Sequence, residues 1–306
     1  MLTGISYNQP KFCPNASWDQ NAVTFADSNL IGGNPWKVFI TKNDTVYVAN
    51  RVNKQIILFS QTNSIQIRNI STDSEETHTI FVTENGDIYF DYEKNSTVGI
   101  RKSTSNLSTY VLVTDVYSRC YDIFVDIHNY IYCSMDLSHQ VIRKSLNNTM
   151  DYVNVIAGTG IAGSTSYMFN GPNGIFVDTN FDLYVADFFN NRIQLFPLDQ
   201  TNGITVAGSS SSTVTIALNG PVAVTMDADK YLFIVDRWNH RAIRSGPYGF
   251  QCVVGCNGSG SAANQLNGPR SMSFDKHGNI FVADENNNRI QKFVLLTNSC
   301  SMYISY

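Results

Sequence analysis

Short apolar runs separated by polar turns recur along the whole chain, and no stretch carries the three-to-four-residue apolar spacing of an amphipathic helix. Residues Ile175–Val177, Leu183–Ala186 and Arg192–Phe196 are typical: three β-type runs with Asp, Asn and Gly between them. The stretch around them, Asn170–Phe196 (NGPNGIFVDTNFDLYVADFFNNRIQLF), aligns without a gap on Asn267–Phe293 (NGPRSMSFDKHGNIFVADENNNRIQKF), and Asn219–Ser245 keeps the same register. Weaker copies begin at Gly33, Glu75 and Ser118. Anchored at the end of the first apolar run, the six copies fall at Thr41, Thr83, Asp126, Asp178, Asp227 and Asp275, which are 42, 43, 52, 49 and 48 residues apart.

A fourth apolar run follows in the spacers, beginning at Ser64, Ser108, Tyr152, Ile204 and Gln251. Four antiparallel strands in roughly 40 to 50 residues make one propeller blade. The pattern therefore predicts an all-β, six-bladed β-propeller of four-stranded antiparallel blades. The sixth copy has no fourth run of its own, whereas Asn21–Ala26 (NAVTFA) precedes the first copy where one belongs. An N-terminal strand joining the last blade would close the ring and leave few exposed edges. The expected organisation is an extension over 1–20, one propeller over 21–296 and a tail over 297–306.

Composition narrows the function classes. Only 15% of residues are charged, the net charge is −4, and no basic stripe is visible, so nucleic acid is an unlikely partner. No run of eighteen apolar residues exists and the N-terminus lacks signal-peptide zones, so membrane insertion is not expected. Seven Asn-x-Ser/Thr sequons, at Asn15, Asn43, Asn69, Asn95, Asn106, Asn147 and Asn257, point instead to a glycosylated extracellular or cell-surface domain. Six cysteines bear on the same choice. Cys13 lies just before the closing strand and Cys300 just after the last blade, so a bridge between them would lock the ring, a contribution of about 4 to 5 kcal/mol on the chain-entropy view. Cys120 with Cys133 and Cys252 with Cys256 are further candidate pairs; six free thiols in a cytoplasmic protein is the alternative.

The pattern G-P-x-G-h-x-h-D followed by h-Y-V-A-D-x-x-N-N-R-I resembles the NHL repeat of six-bladed propellers. It is sharpest in the copies around Asp178 and Asp275. The second copy departs from it at Tyr92 and Thr97, and the third at Met135 and Gln140, so the usual turn network is in doubt there.

Residues with chemical character mostly have structural readings. The Asp187, Asn190, Asn191, Arg192 set and its repeat at Asp284, Asn287, Asn288, Arg289 reads as a turn held by side chains. Asp178, Asn180 and Asp182 have calcium-loop spacing without the Gly and Glu such a loop requires. The histidines His78, His128, His139, His240 and His277 fall at unrelated blade positions, and no G-x-S-x-G is present. The resemblance brings in propeller enzymes, among them amidating lyases and lactonase-like enzymes, which gather carboxylates, Asn or His around a metal at the channel mouth. No inward-facing carboxylate repeats across these blades. The expectation is therefore a monomeric, non-catalytic interaction module without cofactor or catalytic residues, binding a protein or glycan ligand. A metal-dependent propeller hydrolase or lyase is the alternative, and an RNA-binding domain like those of tripartite-motif proteins a second.

Propellers bind at the face where loops enter the innermost strands and join second to third strands. Here those loops carry Trp36, Arg51, Phe188, Phe189, Arg237, Trp238, Arg270 and Glu285, residue types enriched at binding hot spots. The competing reading is that Phe188, Phe189 and Trp238 cover gaps between blades.

Overall fold

A computed structural model of the protein describes residues 7–60, 65–103, 110–148, 152–209 and 216–300. Six four-stranded antiparallel sheets form the blades. The first strand of each, nearest the axis, is Pro35–Ile40, Ile80–Val82, Cys120–Val125, Pro172–Val177, Pro221–Met226 and Pro269–Phe274 in turn. Blade 4 shows the plan, with Pro172–Val177, Leu183–Asp187, Arg192–Phe196 and Ile204–Gly208 in chain order. Its first strand is buried at every residue, because it meets both neighbouring blades and the axis at once; that is why the inner runs read as continuous apolar stretches rather than alternations.

Blade 6 contains three strands from its own copy, and Val23–Ala26 completes it, pairing antiparallel with Arg289–Phe293. A short second closure lies outside it, where Ser17–Trp18 pairs with Leu295–Thr297. All three anticipated cysteine pairs are disulfides: Cys13–Cys300, Cys120–Cys133 and Cys252–Cys256, with Cα atoms 5.1, 5.3 and 5.9 Å apart.

The anchor residues hold the hairpins between first and second strands. Asp178 Oδ1 accepts from the backbone N–H groups of Asn180 (2.8 Å) and Asp182 (3.0 Å), while Oδ2 takes Lys230 Nζ at 2.7 Å. Asp126, Asp227 and Asp275 repeat the backbone pattern. At the opposite face a one-turn 3-10 segment joins the second and third strands. There Asp187 Oδ2 accepts from Arg192 Nε (2.7 Å) and Asn190 Nδ2 (2.8 Å), and the Arg192 terminal nitrogens donate to the carbonyls of Ser164, Thr165 and Met168. Asp236 with Arg241 and Asp284 with Arg289 do the same, so these charges are spent on the turn.

The residue that ends each such turn also ties its blade to the next. Asn191 and Asn288 are left-handed, at φ 53° and 51°. Their Oδ1 atoms accept from the backbone N–H of Gly220 (2.8 Å) and Asn34 (2.9 Å). His139 and His240 occupy the same position at φ 50° and 56°, and their Nδ1 atoms accept from Gly171 (3.1 Å) and Gly268 (3.0 Å). This corrects the expectation that the histidines fall at unrelated positions: imidazole Nδ1 and the Asn side-chain oxygen reach equally far, so two of the five are equivalents of Asn191.

Residues 7–12 run beneath the ring at the hairpin face. Asn8 Nδ2 donates to the carbonyls of Thr41 and Phe274 (both 3.1 Å), and Gln9 Nε2 to that of Asp227 (3.1 Å). The Tyr7 ring packs edge-on against Phe124 and Phe176, with centroids 5.8 and 5.9 Å away, and burial raises its hydroxyl well above the ordinary tyrosine range. The channel is plugged at this end. Next along the segment, the fully buried Arg244 donates to the carbonyls of Cys13 (2.9 Å) and Phe12 (3.2 Å) and faces Asp227 at 3.4 Å.

Candidate functional site

The other end of the channel, on the side of the 3-10 turns, gathers a set of charged side chains that the turn networks do not use. Trp36 is the second residue of the first strand of blade 1. Its ring meets His78 of blade 2 at 4.9 Å and Tyr121 of blade 3 at 6.2 Å, both edge-on. The guanidinium carbons of Arg270 and Arg51 lie 3.5 and 4.9 Å from its centroid. Below it a space of about 60 Å³ in the channel is lined by Tyr7, Lys37, Phe39, Phe81, Phe124 and Phe176 among others. That volume is small for an organic ligand, so within the channel the room for one lies at the rim above Trp36.

Blades 2 and 3 build half of this rim, and there the repeat pattern is weakest. Asp91 replaces the alanine that precedes the turn in the regular copies, as at Ala186. Fully buried, it accepts from the backbone N–H groups of His78 (2.8 Å) and Thr79 (2.9 Å) and pairs with His78 Nδ1 at 2.8 Å. The other ring nitrogen, Nε2, faces Glu76 Oε2 at 3.1 Å. Glu76 is shared by Arg51 Nη2 (2.7 Å) and Arg119 Nη1 (2.9 Å), and Arg119 Nη2 also donates to Glu93. Burial pushes the Glu76 carboxyl up, but the Arg51 hydrogen bond and the charges of His78, Arg51 and Arg119 outweigh it, leaving the group below its ordinary range. A fixed Asp–His pair with its second nitrogen turned to a charged rim is an arrangement that can move a proton.

Blade 6 supplies the rest with blade 5. Glu285 Oε2 accepts from Arg237 Nη1 at 2.6 Å and from Arg270 Nε at 2.8 Å, so one carboxylate serves two guanidiniums. Burial lowers Arg270 to about 10, and the nearby Arg237 charge adds to the effect. Asp136, at the end of the second strand of blade 3, is raised by burial against the opposing influence of His139, Tyr121 and Arg270.

Of the eight residues picked out on the loop face, Trp36, Arg51, Arg237, Arg270 and Glu285 meet around the channel axis. Phe188, Phe189 and Trp238 do not join them. They form a separate ledge between blades 4 and 5, with Phe188 centroids 4.7 Å from Phe189 and 4.6 Å from Trp238. Phe188 is buried there, whereas Phe189 and Trp238 are 53% and 45% exposed, so gap-filling accounts for the first and not for the other two. Sequence reasoning missed Glu76, His78, Asp91, Glu93, Arg119, Tyr121 and Asp136. The available signal was the departure of copies two and three from the repeat, which marks where local rules have been set aside.

Among the described residues, no three His, Cys, Asp or Glu side chains are gathered as metal ligands. Six of the seven sequon asparagines, Asn15, Asn43, Asn69, Asn95, Asn147 and Asn257, are exposed; Asn106 lies outside the described residues. No helix is long and apolar enough to cross a membrane among the described residues.

Comparison with known proteins agrees with this geometry. Residues 266–293 match the family profile of the NHL repeat. No curated protein matches the chain in sequence. Among solved structures, a protein of unknown function from Bacteroides thetaiotaomicron superposes with a TM-score of 0.71 at 14% identity, over 94% of this chain and 75% of that one. Virginiamycin B lyase from Staphylococcus aureus gives 0.61 at 13% identity, over 92% of this chain and all of that one. A gluconolactonase from Xanthomonas campestris gives 0.61 at 11%, over 94% and 98%. The expectation that the chain is not an enzyme is corrected by these likenesses: propellers of this same architecture include a lyase and a lactonase, and the buried His78–Asp91 pair is a feature that a search for repeated carboxylates could not detect. Identities this low carry the fold and not the reaction. Six closed blades and the repeated turn network make the chain a six-bladed β-propeller, and residues 266–293 carry an NHL repeat.

Proposed function

We propose that the rim above Trp36 is a ligand-binding site and that the protein works outside the cell as a binding propeller. The observation that carries this reading is the convergence of Arg51, Glu76, Arg119, Arg237, Arg270 and Glu285, from five separate copies of the repeat, on one end of a channel plugged at the other. Stability does not call for so many half-buried charges in one place, because partly desolvated ion pairs contribute little net free energy. Three disulfides and the exposed sequons support an oxidising, glycosylating compartment. The ligand is a protein segment, a glycan or a smaller molecule with both charged and ring-like parts, matching the mixture of guanidinium, carboxylate and aromatic groups that it would meet.

One observation favours chemistry on the bound ligand as well. His78 is oriented through Nδ1 by a carboxylate that is itself pinned by two backbone N–H groups, which sets its tautomer and directs Nε2 to the rim. A ligand that displaced Glu76 would meet that nitrogen. A thermal-shift screen of small molecules and peptides against the intact protein and an Arg119→Ala variant tests the site. Stabilising compounds should lose their effect in the variant; a set of hits that stabilise both proteins equally would place binding elsewhere.

A further inference from the structure

Arg270 is held in an unusual way for an arginine at a protein surface. It is the second residue of the first strand of blade 6, Pro269–Phe274, which places its side chain at the inner rim. The flat face of the guanidinium lies on Trp36, 3.5 Å from ring centroid to Cζ, and its Nε donates to Glu285. Face and inner edge are thus both used. The outer edge, with its two terminal nitrogens, makes no hydrogen bond among the described residues, although only 14% of the side chain is exposed. Asp136, whose charge Arg270 feels, forms no ion pair with it within 4.0 Å.

The charge balance points the same way. Glu285 Oε2 is bonded to Arg237 and Arg270 together, so the pair of guanidiniums carries one positive charge more than its carboxylate neutralises. Two further rings border the same Trp36, Tyr121 and His78, stacked with centroids 5.4 Å apart, and Arg270 feels the Tyr121 hydroxyl. A guanidinium held in plane by an aromatic face, with two parallel N–H donors pointing outward, matches the spacing and planarity of a carboxylate. Prior fixation matters, since a fork already immobilised loses little further freedom when an anion docks.

We propose that the outer edge of Arg270 is a carboxylate-binding site, which takes the acid group of the ligand in plane and two-pronged while Tyr121 and His78 border the ring or chain attached to it. The inference rests on the rim being the ligand site and adds the chemical class of the group that anchors there. A carboxylate at this point neutralises the surplus charge of the Arg237–Arg270 pair. A free acid side chain, a uronic acid and a peptide C-terminus all present it.

Calorimetric titration of the intact protein with benzoate, its neutral counterpart methyl benzoate, and inorganic phosphate tests the assignment. Benzoate should bind and methyl benzoate should not. Phosphate should bind more weakly than benzoate, being tetrahedral rather than planar. In Arg270→Gln the benzoate affinity should fall about ten- to a hundredfold, the scale of a charge-assisted pair of hydrogen bonds, and Arg270→Lys should not restore it. Should either variant fail to fold, the side-chain guanidinium resonances of the unaltered protein serve instead, with the Arg270 signal the one that moves on benzoate addition. Equal binding of benzoate and methyl benzoate, no binding of benzoate, unchanged affinity in Arg270→Gln, or a stationary Arg270 resonance would each overturn the proposal. Neutral compounds that lose their effect in Arg119→Ala would leave the rim as the ligand site while removing the carboxylate from it.

Discussion

Asp91 shows how much one residue can alter in a repeat. Its position is Ala186 in blade 4 and Ala283 in blade 6, a small side chain packed between blades, and a carboxylate there would be costly unless every lone pair found a donor. Two backbone N–H groups and one imidazole N–H supply the donors. Asp91→Asn keeps the shape but offers one acceptor oxygen where three donors wait. It should destabilise the fold by about 1 to 3 kcal/mol in denaturant unfolding; an unchanged midpoint would mean that the three bonds contribute nothing net. Asp227 behaves differently, because burial pushes its carboxyl up to about 6 despite the facing Arg244 and the backbone donors of Tyr231 and Asp229. The folded state therefore holds this proton more tightly than the unfolded chain does. Between the ordinary aspartate value near 4 and about 6, unfolding releases a proton, so this group makes stability fall as pH rises through that window and adds no further slope above it. Asp227→Asn should remove that slope from the pH dependence of the thermal midpoint. A variant profile parallel to that of the unaltered protein from pH 4 to 6 would contradict the assignment.

Among the elements, the turn joining second and third strands does two separable jobs. Within the blade, Asp187, Asn190 and Arg192 hold the turn; between blades, the left-handed residue after it accepts a backbone N–H from the next copy. The second job requires only a side-chain acceptor at a set reach, and Asn and His both provide one. His240→Asn should therefore stay within about 0.5 kcal/mol of the original, since Asn also tolerates positive φ. His240→Ala leaves the Gly268 N–H without a partner and should cost about 1 to 3 kcal/mol. Equal losses in both variants would show that the imidazole packs rather than accepts. Elements of this kind were largely legible in the sequence. Copies four and six carry the motif intact and copy five keeps its register, so alignment alone located their strands, turns and the structural use of Asp187 and Arg192. The rim was legible only in part. Trp36, Arg51, Arg237, Arg270 and Glu285 stood out as loop residues of binding type, but the contacts among Glu76, His78, Asp91, Glu93 and Arg119 depend on register within blade 2 and on the distance from blade 2 to blade 3. Alignment to a repeat treats such positions as noise, so the copies that matched worst hold the contacts it could not foresee.

At the scale of the whole molecule the weak point of any propeller is the seam where the ends of the chain meet. Here the seam is closed three times over: by the four residues Val23–Ala26 in blade 6, by the short pair Ser17–Trp18 with Leu295–Thr297, and by Cys13–Cys300, across a sequence separation of 287. The noncovalent closures are short, and Val23 at the outer edge is 60% exposed, so by themselves they would open at low cost. The same disulfide anchors the segment that plugs the channel, since Arg244 grips the carbonyls of Phe12 and Cys13 immediately before it and Asn8 and Gln9 run on beneath the ring. Seam and plug are one mechanical unit. Replacing Cys13 and Cys300 by serine should lower stability by up to about 5 kcal/mol, because a cross-link over nearly the whole chain removes much unfolded-state freedom. Hydrogen exchange distinguishes this from a loss spread evenly through the ring. The amides of Thr24 and Ala26, that of Cys13, which donates to Asn298 Oδ1, and that of Ala228, which donates to the Pro10 carbonyl, should lose protection together, while Leu183–Asp187 in blade 4 stays protected to the level of global unfolding. If the closing strand is exposed without the plug, the disulfide holds only the seam, and Arg244 with the Phe12 cluster suffices to keep the channel shut.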